Sequence, residues 1–226
     1  MLLQHRFKDR VRAGRVLGEE LRNRGYADRS DSIVLALPRG GVPVAFEVAR
    51  RLHAPLDVFI VRKLGVPGHE ELAMGAIATG GVRVINEEVV RMLGVPDEII
   101  DEVARLEQAE LERRQRDYRG GRAAPNVRGR TVIVIDDGLA TGSTMRAAVA
   151  ALREQGPSGI VVAVPVAAEE TCAELRGEAD EVICAMTPRQ FQAVGLWYKD
   201  FSPTTDEEVR ELLQRAWRRE ADDAIG

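Results

Sequence analysis

One stretch of the sequence, Val132–Thr144, limits what the chain can fold into more than any other. Four β-branched apolar residues are followed at once by two acids, Asp136 and Asp137, and then by a turn rich in Gly, Ser and Thr. A short apolar run of this kind is typical of a strand buried in a parallel sheet, and the turn after it opens a helix. Open α/β sheets bind their ligands at the carboxyl ends of such strands. The stretch therefore predicts an α/β fold with a binding site at this strand end.

The rest of the chain alternates short apolar runs with longer amphipathic stretches, which is typical of parallel strands joined by helical crossovers. The predicted strands are Ile33–Leu37, Leu56–Val61, Val132–Asp136, Ile160–Val164 and Glu181–Cys184. The predicted helices are Phe7–Arg24, Pro43–Leu52, Pro96–Arg119, Thr144–Gln155, Glu169–Leu175 and Asp206–Arg219. A chain of 226 residues fits one domain of this kind, spanning residues 1–226.

The segment from Arg62 to Gly81 interrupts this alternation. It contains four further glycines and a proline before Gly81, a composition that predicts a long mobile connection with short strand fragments. Val82–Ile85 is expected to be one such fragment.

Composition and charge argue against several classes of protein. The net charge is −4, whereas a general nucleic-acid binder needs an excess of Lys and Arg facing phosphates. Met1–Arg15 is charged throughout, so neither a signal peptide nor a membrane span is expected, and the cytoplasm is the expected location. Cys172 and Cys184 lack the short spacing and nearby histidines of a zinc site. They are expected to be small buried hydrophobes in a reducing compartment.

The turn after Asp137 has the chemistry of an anion cradle. Its backbone N–H groups, its hydroxyls and the positive end of the following helix all favour a phosphate. Carboxylates beside a phosphate would repel it unless they face sugar hydroxyls or a metal, so the predicted ligand is a phosphorylated sugar. The alternative is that Asp136 caps the helix and Asp137 is solvated. A P-loop would need a lysine that is missing here, and a dinucleotide fold would need Gly-x-Gly-x-x-Gly.

Val132–Thr144 resembles the phosphoribosyl-pyrophosphate motif of the type I phosphoribosyltransferases, and Asp136–Met145 is similar to its adenine-type version. The resemblance implies a parallel α/β sheet with helices on both faces, a flexible loop and a small hood subdomain. It implies that the two acids hold the ribose hydroxyls and act in catalysis. The residues that it assigns to the 5′-phosphate are Gly138, Leu139, Ala140, Thr141, Gly142, Ser143 and Thr144.

Two further segments are similar to the same family. Leu37–Val42 resembles its pyrophosphate loop, in which Pro38, Gly40 and Gly41 would contact the donor and Arg39 would neutralise it during catalysis. Val61–Gly65 resembles the step before its flexible loop, which assigns Arg62 to donor binding and Lys63 to catalysis. Taken alone, the first segment is equally consistent with an ordinary turn and the second with a charge pair at a strand end.

The family resemblance implies transfer of a phosphoribosyl group from phosphoribosyl pyrophosphate to a nitrogenous base, as in nucleotide salvage, with a purine-like acceptor favoured. Mg²⁺ would be held by Asp136 and Asp137 through water. The flexible loop would lie within residues 62–81, where His69 or Glu70 could assist proton transfer. Dimers are common in the family, so a homodimer is expected, with no nucleic-acid or membrane partner.

The acceptor is expected to lie against a hood over residues 186–204. Trp197, Tyr198 or Phe201 would stack on the base, and Asp200 or Lys199 would contact its edge; alternatively the aromatic rings pack the hood's own core. Ala140 stands where hypoxanthine-guanine enzymes carry an acid, which puts a 6-oxopurine acceptor in doubt. A nucleotide-sensing regulator and a phosphoribosyl-compound hydrolase remain as alternative functions.

Overall fold

The central sheet consists of five parallel strands made almost entirely of buried apolar residues. The computed structural model describes residues 6–223, apart from the side chains of Glu70, Glu71 and Asp223. Its strands are β1 (Ser32–Ala36), β2 (Leu56–Val58), β3 (Val61–Val66), β4 (His69–Ala78), β5 (Val82–Ile85), β6 (Thr131–Ile135), β7 (Gly159–Val166) and β8 (Glu181–Met186). Its helices are α1 (Arg10–Asn23), α2 (Gly41–Leu52), α3 (Glu87–Leu93), α4 (Asp97–Arg119), α5 (Ser143–Arg153), α6 (Glu169–Leu175) and α7 (Asp206–Asp223).

The order of strands in the central sheet is β2-β1-β6-β7-β8. β1 pairs with β6 from Ser32 opposite Thr131 to Ala36 opposite Ile135. β6 and β7 pair from Thr131 opposite Gly159 to Ile135 opposite Ala163. Because these neighbouring strands end level with one another, the loops that follow β1 and β6 lie side by side at the carboxyl edge of the sheet.

Helices cover the central sheet on both faces. Successive residues of a strand point to opposite faces, and those of β6 divide accordingly. Ile133 and Ile135 pack in one buried cluster with side chains of α1, α2, α4 and α7. Val132 and Val134 pack in a second cluster with side chains of α5 and α6. The predicted parallel sheet with helices on both faces is confirmed.

Residues 62–81 differ from their prediction as a connection with short strand fragments. β3 and β4 form an antiparallel pair, and β5 joins them as the third strand of a separate sheet. The glycines and proline predicted a loop, but Gly65 and Gly75 lie within the paired strands, and the others occupy the tight turns at residues 67–68 and 80–81. Apolar residues such as Leu64 and Met74 are buried in the core.

Two other local predictions are corrected. α3 was not predicted, although Asn86 caps its start by accepting a hydrogen bond from Val89 N and Gly94 ends it in a left-handed conformation. Cys172 and Cys184 lie in or against a buried apolar cluster, as expected, but they form a disulfide that joins α6 to β8, so the expectation that they are reduced was wrong. The crossover brings them together, because α6 folds back beside the strand that follows it.

Among residues 6–223, no helix combines the length and apolarity needed to cross a membrane.

Candidate active site

Two glycines bring the loop after β1 against the acids that follow β6. A Cβ atom on Gly40 would lie 2.1 Å from Asp137 Oδ2, and one on Gly41 would lie 2.7 Å from the carbonyl oxygen of Ile135. Neither position has room for a side chain. The segment that resembles a pyrophosphate loop therefore lies directly beside the segment that resembles a phosphoribosyl-binding motif, as the register of β1 and β6 requires.

In each acid after β6, one carboxylate oxygen accepts a hydrogen bond and the other has no partner among the described residues. Asp136 Oδ1 accepts a hydrogen bond of 2.8 Å from the backbone N–H of Asp137. Asp137 Oδ2 accepts one of 2.8 Å from Arg10 Nε. The other oxygens, Asp136 Oδ2 and Asp137 Oδ1, accept no hydrogen bond from any residue that the structure describes. These two oxygens are available to a ligand.

The alternative roles for the acids are not found. α5 has Gly142 as its N-cap and no side-chain cap, so Asp136 does not cap the helix. Asp137 is paired with Arg10 and 15% exposed, so it is not a solvated surface acid.

Burial makes the negative charge of this pair costly. It raises the pKa of Asp136 well above its ordinary value, and the charge of Asp137 raises it further. Burial also raises the pKa of Asp137, while the guanidinium of Arg10 acts in the opposite direction. The pair therefore suits a site in which hydroxyls or a cation compensate the carboxylates.

The turn between Gly138 and Ser143 is anchored on one side and open on the other. The N–H of Leu139 donates to Val166 O at 2.9 Å, so this amide is not free to bind the predicted phosphate. Thr171 Oγ1 donates to Ala140 O at 2.6 Å. The N–H groups of Ala140, Thr141 and Gly142 donate to no acceptor within the described residues. They precede the first turn of α5, where helix amides also lack partners, and together these groups can bind an anion.

The cationic side chains predicted to bind the donor lie in three different places. Lys63 Nζ donates a hydrogen bond of 2.6 Å to Ser143 Oγ and so lies at the turn that follows the two acids. Arg62 pairs instead with Glu107 of α4 at 2.6 Å. Arg39 points toward Asp206 at the start of α7, 3.9 Å away.

Arg39 shares a small polar cavity of about 110 Å³ with several residues of α4 and α7. The other residues that line it are Arg113, Arg114, Asp117, Tyr118 and Asp206. Of Lys63, Arg62 and Arg39, only Lys63 therefore lies at the turn; the two arginines pair with acids elsewhere.

The predicted hood pairs with the start of the chain. Phe7 N donates to Trp197 O at 2.9 Å, Lys199 N to Phe7 O at 2.8 Å, and Asp200 N to Lys8 O at 3.0 Å. The hood also approaches the acids, because a Cβ on Gly138 would lie 2.5 Å from Val194 Cγ1. Residues 194–202 therefore lie over the carboxyl edge of β6.

The side chains predicted to contact a base make contacts within the hood and with the N-terminal segment. Trp197 is 8% exposed and Tyr198 1% exposed. The ring of Tyr198 lies between those of Phe7 and Phe201, with centroid distances of 5.7 and 5.0 Å. Asp200 accepts hydrogen bonds from the N–H and hydroxyl of Ser202. These contacts favour the alternative, in which the aromatic residues pack the core of the hood.

Two residues that contact the acids were not predicted for that role. Arg10 binds the carboxylate of Asp137 across 127 sequence positions, and Tyr198 donates its hydroxyl to Asp137 O at 2.6 Å. Arg10 is one of many charged residues near the start of the chain, and no local pattern distinguishes it. Tyr198 was predicted as a base-binding ring, and its hydroxyl contact with the backbone of Asp137 was not foreseen.

The fold and the site together define a class of protein: an open α/β sheet with a turn of unpartnered amides and a carboxylate pair at its carboxyl edge. Comparison with known proteins agrees, because the family description "Phosphoribosyl transferase domain" matches residues 8–199. The chain belongs to this family.

Two relatives are similar over most of this chain. "Putative phosphoribosyl transferase Rv0571c" of Mycobacterium tuberculosis H37Rv is 47% identical over 212 residues, which are 94% of this chain and 47% of that protein. The chain thus spans about half the length of this curated relative. The crystal structure of TT1426 from Thermus thermophilus has a TM-score of 0.83 and 42% identity, and the match covers 93% of this chain and 98% of that one.

Proposed function

We propose that this chain transfers the 5-phosphoribosyl group from phosphoribosyl pyrophosphate to a nitrogenous base and releases pyrophosphate. One observation carries the proposal: two unpartnered carboxylate oxygens, of Asp136 and Asp137, lie beside a turn with free amides and beside the Gly40 loop. The donor presents ribose hydroxyls, a 5′-phosphate and a pyrophosphate, which match these three features in turn.

Magnesium fits this set of donors. Mg²⁺ binds a few carboxylate oxygens and waters together with substrate phosphates, rather than an all-protein cage. The described residues contain no group of three or more His, Cys, Asp or Glu that could hold a metal by themselves. Asp136 and Asp137 would hold the ion through water, and the ion would neutralise pyrophosphate as it leaves.

In the proposed reaction the bond from the anomeric carbon to the pyrophosphate oxygen breaks, and a bond from that carbon to a ring nitrogen of the base forms. The nitrogen loses its proton, which passes to a nearby base or to water. The transition state resembles an oxocarbenium ion, so catalysis depends on positioning and on charge. The acids hold the ribose, the turn holds the 5′-phosphate, and Lys63 supplies positive charge beside it.

Two segments complete the proposed site. The tip of the β3–β4 hairpin, within residues 62–81, would close over the donor and exclude the water that would otherwise hydrolyse it. Arg39 and Arg62 would join the pyrophosphate by exchanging Asp206 and Glu107 for phosphate oxygens. His69 lies at this tip and is a candidate for the proton transfer, whereas the side chain of Glu70, the other candidate, lies outside the described residues.

The acceptor is proposed to be a purine-like base bound under the hood, residues 186–204. The similarity of residues 136–145 to the adenine-type motif supports this choice. Ala140 argues against a 6-oxopurine, because hypoxanthine-guanine enzymes carry an acid at the matching position. Leu196, which is 54% exposed, is the large apolar side chain that the hood offers to a flat base.

The test is a panel of purines, pyrimidines and other nitrogen heterocycles with donor and Mg²⁺, read as pyrophosphate release. Release that depends on one of the bases supports the proposal. Donor consumption without a base would indicate a hydrolase, and donor binding without turnover of any base would indicate a nucleotide-sensing protein. Light scattering on the same samples tests the expected homodimer.

A matched pair of variants tests whether turnover depends on the proposed ribose-binding acid. Asp137→Asn removes the charge of a proposed ribose-binding group and is expected to lower turnover about a hundredfold with the fold intact. Asp101→Asn removes the same charge from the exposed face of α4, where its partner is Arg83, and is expected to leave turnover unchanged. Normal turnover by Asp137→Asn would contradict the sugar-binding role.

A further inference from the structure

Arg10 is fixed by three contacts, although it is the first residue of α1. Its Nε donates to Asp137 Oδ2 at 2.8 Å, and its Nη1 donates to Ser202 O at 2.7 Å. Its guanidinium carbon lies 3.9 Å from the centroid of the Phe201 ring. The side chain is 11% exposed. A planar guanidinium held in this way has one orientation, which it imposes on the carboxylate that it binds.

The orientation of that carboxylate determines what a ligand meets. Because Arg10 occupies Oδ2 and Gly40 lies against the same oxygen, Asp137 presents only Oδ1 as an unpartnered acceptor among the described residues. Rotation of the carboxylate away from this orientation would break the hydrogen bond to Arg10. Arg10 therefore fixes the position at which the second oxygen of Asp137 is presented to a ligand.

Arg10 also connects two parts of the site that are separate in sequence. Ser202 and Phe201 belong to the end of the hood, whereas Asp137 follows β6. The start of the chain is itself paired with the hood through Phe7 and Lys8. A displacement of the hood would thus be transmitted to the carboxylate through a single side chain.

Resting on the proposed function, we propose that Arg10 is a positioning residue of the donor site. It holds Asp137 so that Oδ1 accepts a ribose hydroxyl, and it couples the hood to the half of the site that binds the donor. A solely structural ion pair would affect stability and not donor affinity. Because Arg10→Ala leaves a largely buried Asp137 without its partner, some loss of stability is expected in either case, and donor affinity is the measurement that distinguishes the two roles.

The experiment is a calorimetric titration with phosphoribosyl pyrophosphate in the presence of Mg²⁺. Arg10→Ala is expected to raise the donor Kd about 10- to 100-fold, the range for losing a hydrogen bond to a charged group. Arg10→Lys is expected to recover part of this loss, because an ammonium can bind Asp137 or Ser202 but does not span both. Arg12→Ala is the matched control: Arg12 is an exposed cation of the same helix, and its side chain has no partner in the described part of the chain.

A second measurement separates positioning from stability. With an acceptor base identified, Arg10→Ala should raise the KM for the donor more than the KM for the base, whereas general destabilisation would not favour one substrate. If Arg10→Ala does not fold, Arg10→Gln replaces it, since glutamine keeps the stem and one donor group but neither the fork nor the charge.

The outcomes distinguish this inference from the function on which it rests. If the wild-type protein binds the donor and the Ala and Gln variants bind it equally well, the inference is overturned while the proposed function stands. If the wild-type protein does not bind the donor, the proposed function fails and the inference fails with it. A raised donor Kd with partial recovery by Lys supports both.

Discussion

Lys63 Nζ donates a hydrogen bond of 2.6 Å to Ser143 Oγ and thereby joins the β3–β4 hairpin to the first residue of α5. The two residues are 80 positions apart in sequence. The contact places a cation at the turn where the phosphate of the donor is proposed to bind. A phosphate in this turn would accept hydrogen bonds from both side chains, so the hairpin and the turn would close on the same ligand.

Lys63→Ala is expected to weaken donor binding about tenfold or more, because a hydrogen bond between charged groups contributes about 1.5–3 kcal/mol. Lys63 is exposed, so the melting temperature should not change. The measurement is the donor Kd by calorimetry with Mg²⁺ present. Lys8→Ala, which removes an exposed lysine of the N-terminal segment, is the control, and an unchanged Kd for Lys63→Ala would contradict the role proposed for this contact.

The buried acids give a prediction for pH. The folded-state pKa of Asp136 is raised, so folding favours its protonated form. The stability that results is fully present below the unfolded pKa, about 3.9, and is lost as the pH rises through the folded pKa. Asparagine cannot deprotonate, so Asp136→Asn should not lose stability as the pH rises. Its side-chain oxygen can still accept the hydrogen bond from Asp137 N.

Without Mg²⁺, the Asn variant should therefore melt at a higher temperature than the wild-type protein at pH 8, by about 2–4 °C for each kcal/mol relieved. The difference should shrink toward pH 4. Calorimetric melting curves across this range test the prediction, and a variant less stable than wild type at pH 8 would show that burial does not penalise this carboxylate.

A buried ion pair outside the site gives a prediction for stability. Arg119 Nε lies 2.9 Å from Asp57 Oδ1, with side-chain exposures of 2% and 5%, and Arg119 Nη2 donates to Val58 O at 2.7 Å. Arg119→Met leaves a buried carboxylate without its partner and should lower the free energy of unfolding by about 3–5 kcal/mol. Arg22→Ala breaks an exposed pair with Glu19 and should change it by less than about 1 kcal/mol. Urea denaturation measures both, and similar losses would mean that burial does not decide the effect.

The sequence predicts those parts of the fold and site that depend on local pattern. The run at residues 132–135 is entirely apolar and predicts a buried strand, so the positions of β6, of the acids after it and of the turn followed from the sequence. The hairpin could not, because Gly65, Gly68 and Gly75 have the composition of a loop. Their place in paired strands and a tight turn depends on packing against α4 and α5.

Long-range contacts were the other failure of sequence reasoning. Arg10 and Asp137 meet only because the start of the chain pairs with the hood, and no local spacing encodes that pairing. The burial of Trp197 and Tyr198 was not predicted for the same reason: the sequence shows a cluster of aromatic residues but not which part of the chain covers it. Sequence patterns thus placed the segments of the proposed donor site, whereas they did not predict the packing of the hood.

The contact between Gly40 and Asp137 gives the last prediction. At this position a side chain is excluded by its close approach to Asp137 and not by the backbone conformation. Gly40 has φ −60° and ψ −32°, which alanine adopts without strain. An added Cβ would nevertheless lie 2.1 Å from Asp137 Oδ2. Gly40→Ala must therefore displace the carboxylate and the Arg10 contact with it, and donor affinity should fall at least about tenfold, or ~1.4 kcal/mol.

The control for this variant is Gly177→Ala, at an exposed position where a Cβ would come no closer than 3.4 Å to the Glu174 carbonyl oxygen. It adds the same methyl group outside the site and should bind the donor as the wild-type protein does. Both variants are compared by donor titration and by circular dichroism. Tight donor binding by a folded Gly40→Ala protein would mean that the loop after β1 can move away from Asp137, and that the donor does not require the two loops to lie in contact.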